Sequence, residues 1–318
     1  MLQYLTRRLL ISIPTLIAIS IVIFTILALA PGDPMVEFAS NPSITEEVRE
    51  NIRRSLGLDR PIYIRYFKWA WAFIRGDMGY SFASRSPVLD VILQRLPTTL
   101  WIVGFAYLLG VLVALPLGIL SALKRYSWLD KFITTFALLG FSLPTFFTGL
   151  LFIIIFGVQL NWFPFIYNST LQITNWETFV EQIRQSIMPV CVLVLYQSAI
   201  LMRFVRSSVL EELVQEYVRT AYAKGLSSFA VLKNHVLRNA MIPVVTLVAL
   251  DVPAIFTGAL VTEQVFRVPG IGALLVDSIK SSDTPVVMAI TFIYAILIVI
   301  FNLVADLTYG FLDPRVRY

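Results

Sequence analysis

Residues 284–305 read Thr-Pro-Val-Val-Met-Ala-Ile-Thr-Phe-Ile-Tyr-Ala-Ile-Leu-Ile-Val-Ile-Phe-Asn-Leu-Val-Ala, 22 positions without a charged side chain. About 20 such residues in a helix cross the hydrocarbon of a bilayer, so this stretch predicts a membrane span. Working outward, four more charge-free runs meet or nearly meet that length, at 9–30, 96–123, 132–160 and 185–202. A sixth, 239–262, is interrupted only by Asp251. The run at 185–202 is the weakest, at 18 residues, and Pro189 near its start shortens the regular helix further. Six spans predict an all-α, multi-pass membrane protein with both termini on one side.

Composition agrees. Of 318 residues, 58% are hydrophobic and 14% charged, with a mean hydropathy of +0.78. A soluble domain carries about 25% charged residues, so an ordinary cytosolic enzyme is excluded. Disorder is excluded as well, because it requires low hydrophobicity and high charge. With one cysteine (Cys191) and one histidine (His235), neither an internal disulfide nor a His-rich metal site can form. Cys191 is expected to be an inert apolar filler within the fourth span.

The first run has two readings. Arg7, Arg8, the apolar stretch and Ala28-Leu29-Ala30 fit a cleaved signal peptide, but a signal core is usually about 7–15 residues, which favours a retained span. Orientation follows from Lys and Arg in short loops. With the termini in the cytoplasm, 13 of the 25 basic residues fall inside, and the two short outer loops carry only Arg184, Arg267 and Lys280. The other nine lie in the 65-residue segment 31–95, long enough to be translocated regardless of charge.

Segment 31–95 alone is long enough to fold outside the bilayer. Ser43-Ile44-Thr45-Glu46 reads as a capping box ahead of a helix striped by Ile44, Val48, Ile52 and Leu56. Tyr63, Tyr66, Phe67, Trp69, Trp71 and Phe73 follow, mixed with Arg65 and Lys68, a composition that favours the headgroup layer. Interfacial helices packed on the spans, or a docking surface for an external partner, both fit. Every span except the last has a proline well inside it (Pro14, Pro116, Pro144, Pro189, and Pro243 with Pro253), which predicts kinks. Kinked spans suit a transport path, because neighbouring helices or a water-filled cavity can satisfy the freed carbonyls.

The longest cytoplasmic loop, 203–238, places Val209, Leu213, Tyr217 and Ala221 four apart, which predicts an amphipathic helix. Gly225 ends it, and Ser227 and Ser228 are cap candidates for a second helix through Val231, Leu232, His235 and Val236. Such a loop either lies on anionic headgroups or projects as a knob for a partner. No G-x-x-x-x-G-K-[ST], complete dinucleotide fingerprint, H-E-x-x-H or G-x-S-x-G occurs. Asp251 and Asp306 are badly placed for an intramembrane carboxylate dyad. Catalysis is therefore not expected, and any energy must enter through another polypeptide or an ion gradient.

The knob reads Glu216-Tyr217-Val218-Arg219-Thr220-Ala221-Tyr222-Ala223-Lys224-Gly225-Leu226, then His235-Val236-Leu237-Arg238-Asn239-Ala240 and Pro243. This closely resembles the coupling-loop signature of bacterial ABC importer permeases of the dipeptide and oligopeptide branch. The resemblance covers essentially the whole chain. It includes Tyr4-Leu5-Thr6-Arg7-Arg8, Ala30-Pro31-Gly32-Asp33-Pro34, Gly76-Asp77-Met78-Gly79-Tyr80-Ser81 and Arg95-Leu96-Pro97-Thr98-Thr99. Further on are Pro116-Leu117-Gly118-Ile119, Glu263 with Phe266, Pro269-Gly270-Ile271-Gly272 and Asp313-Pro314-Arg315-Val316-Arg317. Where the wider importer family has Glu-Ala-Ala, this chain has Arg219-Thr220-Ala221, and Leu237-Arg238 replaces Leu-Pro. Both departures point to the peptide branch, and the pattern fits its B-type subunit.

The resemblance implies a type I importer permease fold in the bacterial inner membrane, with both termini cytoplasmic. The domain layout would be a first span at 1–30, an extracytoplasmic segment at 31–95, a transmembrane domain at 96–309 and a cytoplasmic tail at 310–318. Implied partners are a second permease, two ATP-binding subunits that hold ATP and Mg, an extracytoplasmic solute-binding protein and membrane lipid, with no nucleic acid and no cofactor in this chain. Tyr217, Arg219, Thr220, Ala221, Ala223, Lys224, Gly225, Leu226, His235 and Arg238 would form the ATPase-coupling site. Ala221 and Ala223 are expected to allow close approach, and Tyr217 and Leu226 to be apolar anchors. Asp251 is the candidate on the translocation path. Peptide is the expected substrate. Nickel, glutathione and oligosaccharide remain open, since permeases of this branch carry those too. A secondary transporter is the alternative from another class; it would usually show two repeated halves, and none is found in the sequence.

Overall fold

The computed structural model describes residues 2–29, 59–257 and 259–312, together with Glu47 and Glu50. Regular structure among them is helical, apart from an isolated bridge between Tyr80 and Pro87. The capping box at 43–46 and its stripe, the motif at 30–34 and the closing motif at 313–317 lie outside the described residues. Five described helices are long and apolar enough to span a membrane, and a bent helix pair brings the number to six. The chain divides into two compact units, Met1–Pro97 with Leu274–Val299, and Thr98–Ala273 with Ile300–Tyr318.

In the first unit, helix α1 (Leu2–Leu29) runs through Pro14 without losing helical structure. Helix α2 (Ile62–Ile74) packs on it. The Phe24 ring lies 5.6 Å from both Tyr66 and Trp69, and the Ser20 and Tyr66 hydroxyls share a 2.8 Å hydrogen bond. Trp69 and Phe73 also pack on Phe292, at 5.3 and 4.9 Å. The opposite face of α2, made of Tyr63, Phe67, Trp71 and Ile74, is exposed, with Arg75 stacked 4.5 Å over Trp71. An aromatic helix with one face packed on a span is the geometry of an interfacial helix.

Helix α3 (Val88–Thr99) opens the second span and passes through a π-helical turn, Leu100–Gly104, into α4 (Phe105–Leu123). The third span differs from the expected single helix. Helix α5 (Trp128–Ser142) and helix α6 (Thr145–Phe152), which continues through a π-helical turn, meet at a bend of 101°. The cause is local: Pro144 fixes its own φ and donates no hydrogen bond, and it forces Leu143 into an extended conformation (φ −83, ψ 129).

The fourth span, expected to be the shortest, is the core of the 38-residue helix α7 (Trp176–Leu213), which stays helical through Pro189. Its first turn is fixed by a capping box between Asn175 and Thr178. It continues 11 residues past Met202 into what hydropathy alone assigns to a loop. Cys191 is exposed on α7, contrary to the expected buried filler. After α7 come α8 (Glu216–Ala223), α9 (Ser228–Val231), a π-helical turn Leu232–Val236 and α10 (Leu237–Asp251). Helix α10 breaks at Val252, before α11 (Pro253–Thr257). Helices α12 (Leu260–Phe266), α13 (Ile271–Lys280) and α14 (Thr284–Leu312) complete the chain.

Small side chains recur where the helices of the second unit meet. Ala114 and Ala122 of α4, Ala137 of α5, Ala199, Val205 and Val209 of α7, and Ala240 and Val244 of α10 form one buried cluster. Apolar side chains gain little from leaving lipid, so close contact through small residues supplies the attraction between spans.

Candidate functional site

The same cluster reaches the knob between α7 and α10. Val218 and Ala221 of α8, then Val231 and Val236, are buried in it. The expected continuous helix through residues 209–221 is therefore two helices. Gln215 is extended (φ −70, ψ 147), which turns the chain between Leu213 and Glu216 so that α7 and α8 bury one stripe in the same core. Gly225 stands at φ +80. The Leu226 amide donates to the Ala221 carbonyl and the Gly225 amide to the Tyr222 carbonyl, the two hydrogen bonds of a Schellman cap. Ser227 then caps α9, its hydroxyl accepting from the Ala230 amide at 3.4 Å. The break and cap expected here are both present.

The ten coupling candidates do not share one face. Ala221 is 4% exposed and packs inward. Tyr217 is half-buried against the same core, and its hydroxyl donates to the Glu212 carboxylate. Ala223, Lys224, Gly225 and Leu226 are exposed. Arg219 is exposed and paired with Glu216 at 2.9 Å, and the Thr220 hydroxyl donates to the Glu216 carbonyl at 3.0 Å. His235 is half-buried in the π-helical turn, and Arg238 is exposed on α10. The exposed apolar side chains are Val214, Tyr222, Leu226 and Phe229, with Phe229 at 73%. Of these, only Leu226 was singled out from the sequence. Exposed aromatics in a loop too charged to span the membrane were the available signal for Tyr222 and Phe229.

Asp251 ends α10 at the break before Pro253 and is half-buried. The Gln197 side chain of α7 approaches its carboxylate at 3.4 Å, and the Tyr107 hydroxyl of α4 donates to the Val248 carbonyl at 2.5 Å. Three helices thus bring polar groups to one level. No basic side chain pairs with Asp251 among the described residues.

Glu263, fully buried in α12, is a second polar hub. It accepts from the Thr99 hydroxyl at 3.1 Å and the Ala273 amide at 2.8 Å, while Thr99 accepts from the Ile271 amide at 2.7 Å. A Cβ on Gly270 would lie 2.3 Å from the Glu263 carboxyl carbon, so any side chain there would push the carboxyl off its hydrogen bonds. Burial pushes the Glu263 carboxyl above its ordinary range, and the two donors pull it back. Three stretches separated in sequence, around Thr99, Glu263 and 269–273, are joined in one clasp. In the first unit, buried Asp283 likewise holds the turn at Ser81, accepting from the Ser81 hydroxyl at 2.5 Å and from the Phe82 and Ala83 amides at 3.1 and 3.3 Å.

Residues 114–318 match a family model described as binding-protein-dependent transport system inner membrane component. Residues 1–103 match the model for the N-terminal part of such membrane components. Over its full length the chain is 41% identical to the whole of the oligopeptide transport system permease protein AppB of Bacillus subtilis (strain 168). It is 37% identical to a putative peptide permease protein of Brucella suis biovar 1, covering all of this chain and 99% of the relative. It is also 37% identical, with both chains fully covered, to the glutathione transport system permease protein GsiC of Escherichia coli (strain K12).

Proposed function

The chain belongs to the family of binding-protein-dependent transport system inner membrane components, and from that premise we propose that it is the peptide-translocating permease of an ABC importer. It is a multi-pass permease of the inner membrane and not an enzyme, since in this family ATP is hydrolysed by separate subunits. The peptide assignment rests on full-length similarity to permeases named for oligopeptides, peptides and glutathione. Glutathione is itself a small peptide, so those names describe one kind of cargo: short amide-linked chains with an ammonium group and carboxylates. On this reading the subunit pairs with a second permease and two ATP-binding subunits, receives cargo from an external binding protein, and keeps both termini in the cytoplasm.

The knob from Glu216 to Arg238 is the contact for an ATP-binding subunit. The observation that supports this is its shape: a short helix ended by a Schellman cap at Gly225, presenting Tyr222, Leu226 and Phe229 outward while Val218 and Ala221 anchor it to the spans. Exposed aromatics around a rigid centre are the usual make-up of an interface anchor. Asp251 lies on the path, where its carboxylate meets the ammonium group of a passing peptide. A half-buried carboxylate with no basic partner among the described residues is costly against lipid, which supports an aqueous path or the second permease facing it. The deciding experiment reconstitutes the full complex with its binding protein and measures ATP-driven uptake of labelled dipeptides, longer peptides, glutathione and nickel. Saturable uptake of peptides supports the proposal; uptake of nickel alone defeats the peptide assignment.

A further inference from the structure

Asp130, in the first turn of α5, is 3% exposed, and no motif in the sequence singles it out. Its carboxylate takes a two-pronged grip from Arg206 of α7, Nε to Oδ1 at 2.8 Å and Nη2 to Oδ2 at 2.9 Å. The Ser121 hydroxyl of α4 donates to Oδ1 at 2.5 Å, and the Tyr126 amide donates to Oδ2 at 2.8 Å. Both carboxylate oxygens are thereby satisfied from three directions. Arg206 lies on the last two turns of α7, just before the chain enters the knob. Two residues on, the Ser208 hydroxyl donates to the Ala240 carbonyl of α10 at 2.7 Å, on the other leg of the knob. Val205 and Val209, on either side of Arg206, are fully buried. The root of the knob is therefore fastened to α10 by one bond and to the start of α5 by a planar fork.

We propose that Arg206 and Asp130 are positioning residues for energy coupling, a strut that carries displacement of the knob into α5 and so to the bend between α5 and α6. A bidentate guanidinium–carboxylate contact fixes angle as well as distance, whereas a lysine at the same place would behave as a single swivelling charge. Helix α5 ends at Ser142, and the span turns through 101° just beyond it, so rotation at the Asp130 end moves the hinge at the other end. The inference rests on the reading of the knob as the ATPase contact.

The test uses the complete complex in proteoliposomes, with its binding protein and a labelled dipeptide, and reads assembly, ATP hydrolysis and uptake separately. Arg206→Lys keeps the charge and loses the fork. The double variant Asp130→Asn with Arg206→Gln removes both charges, so that neither is left buried alone. In both, uptake per ATP hydrolysed should fall about fivefold or more, the lower end of coupling between distant sites, while hydrolysis persists. Asp130→Glu, which retains a carboxylate for the fork, should recover part of the ratio. A loss of assembled complex or melting temperature with an unchanged uptake-to-hydrolysis ratio overturns the proposal, because that is what a purely structural pair would give. If the double variant does not assemble, the ratio in Arg206→Lys decides in the same way. Gly225→Val serves as the control for the knob itself. Uncoupling by Gly225→Val but not by the Arg206 and Asp130 variants defeats the strut alone; no effect from either set defeats the knob as well.

Discussion

Substitution of Gly225 should uncouple the permease through its backbone and not through its bulk. At φ +80, a Cβ on this residue would meet nothing within 4 Å, so the first atom of a side chain is not excluded by contact. The cost lies in the left-handed conformation, about 1 kcal/mol for alanine and about 2 kcal/mol for a β-branched residue. Asparagine tolerates that region best among residues with a side chain. Since about 1.4 kcal/mol is a factor of ten, Gly225→Val should deplete the capped knob about thirtyfold relative to glycine, Gly225→Ala about fivefold, and Gly225→Asn only slightly. The buried cluster beneath is untouched, so the complex should still insert and assemble. The assay is dipeptide uptake per ATP hydrolysed in proteoliposomes, with ATPase stimulation by loaded binding protein measured alongside. The expected order is glycine, asparagine, alanine, valine. Equal ratios across the series would refute the role of the cap. A ratio for asparagine as low as that for valine would show that any side chain is excluded there, and that the backbone argument is wrong.

Asp251→Asn should assemble normally and slow dipeptide uptake about tenfold, the worth of one charge-assisted hydrogen bond of about 1.5 kcal/mol; unchanged uptake would take Asp251 off the path. Gly270→Ala places a methyl group against the Glu263 carboxylate and should cost about 1–3 kcal/mol, read as a lower melting temperature of the complex. The double variant with Glu263→Ala should regain part of that loss, and failure to do so would mean the clash lies elsewhere. Because burial raises the Glu263 carboxyl, its contribution to stability is fully present below the ordinary glutamate value and is lost as pH rises through the raised one. Glu263→Gln should flatten that slope in thermal melts, and an identical slope would assign the pH dependence to another group. Cys191, exposed on α7, should tolerate Cys191→Ser with unchanged uptake; a loss would reveal a contact with another subunit.

Each apolar run coincides with a described helix, or a bent helix pair, long and apolar enough to span a membrane, because the bilayer demands long apolar runs and that demand is local. Hydropathy fails where a boundary depends on something else. The 185–202 run looks short because charged residues end it, yet Glu177, Glu181 and Arg184 ride on the same helix beyond the apolar core. The stripe Val209, Leu213, Tyr217, Ala221 reads as one helix because period alone cannot distinguish a straight helix from two helices that bury the same core across a bend at Gln215. Pro144 did announce an interruption, but whether a proline bends or breaks a span depends on its neighbours: Pro116, Pro189 and Pro243 sit within continuous helices. In the knob, Gly225 and the Ser227 cap were legible because caps are written in adjacent residues. The polar clasps were not, because Asp130 and Arg206 are 76 positions apart and Thr99 and Glu263 are 164 apart, and neither pair leaves a trace in local pattern.

The grip of Asp283 on the turn at Ser81 spans 202 positions of chain, and this sets an order on biogenesis. When the segment around Ser81 emerges, the residue that will hold its turn has not yet been synthesised, and the amides of Phe82 and Ala83 have no carboxylate to meet. The turn can close only once Asp283, the residue immediately before α14, has been made. Closure at Ser81 therefore reports synthesis as far as Asp283: a chain truncated ahead of that residue should leave this turn open to added protease, whereas one that contains it should shield it.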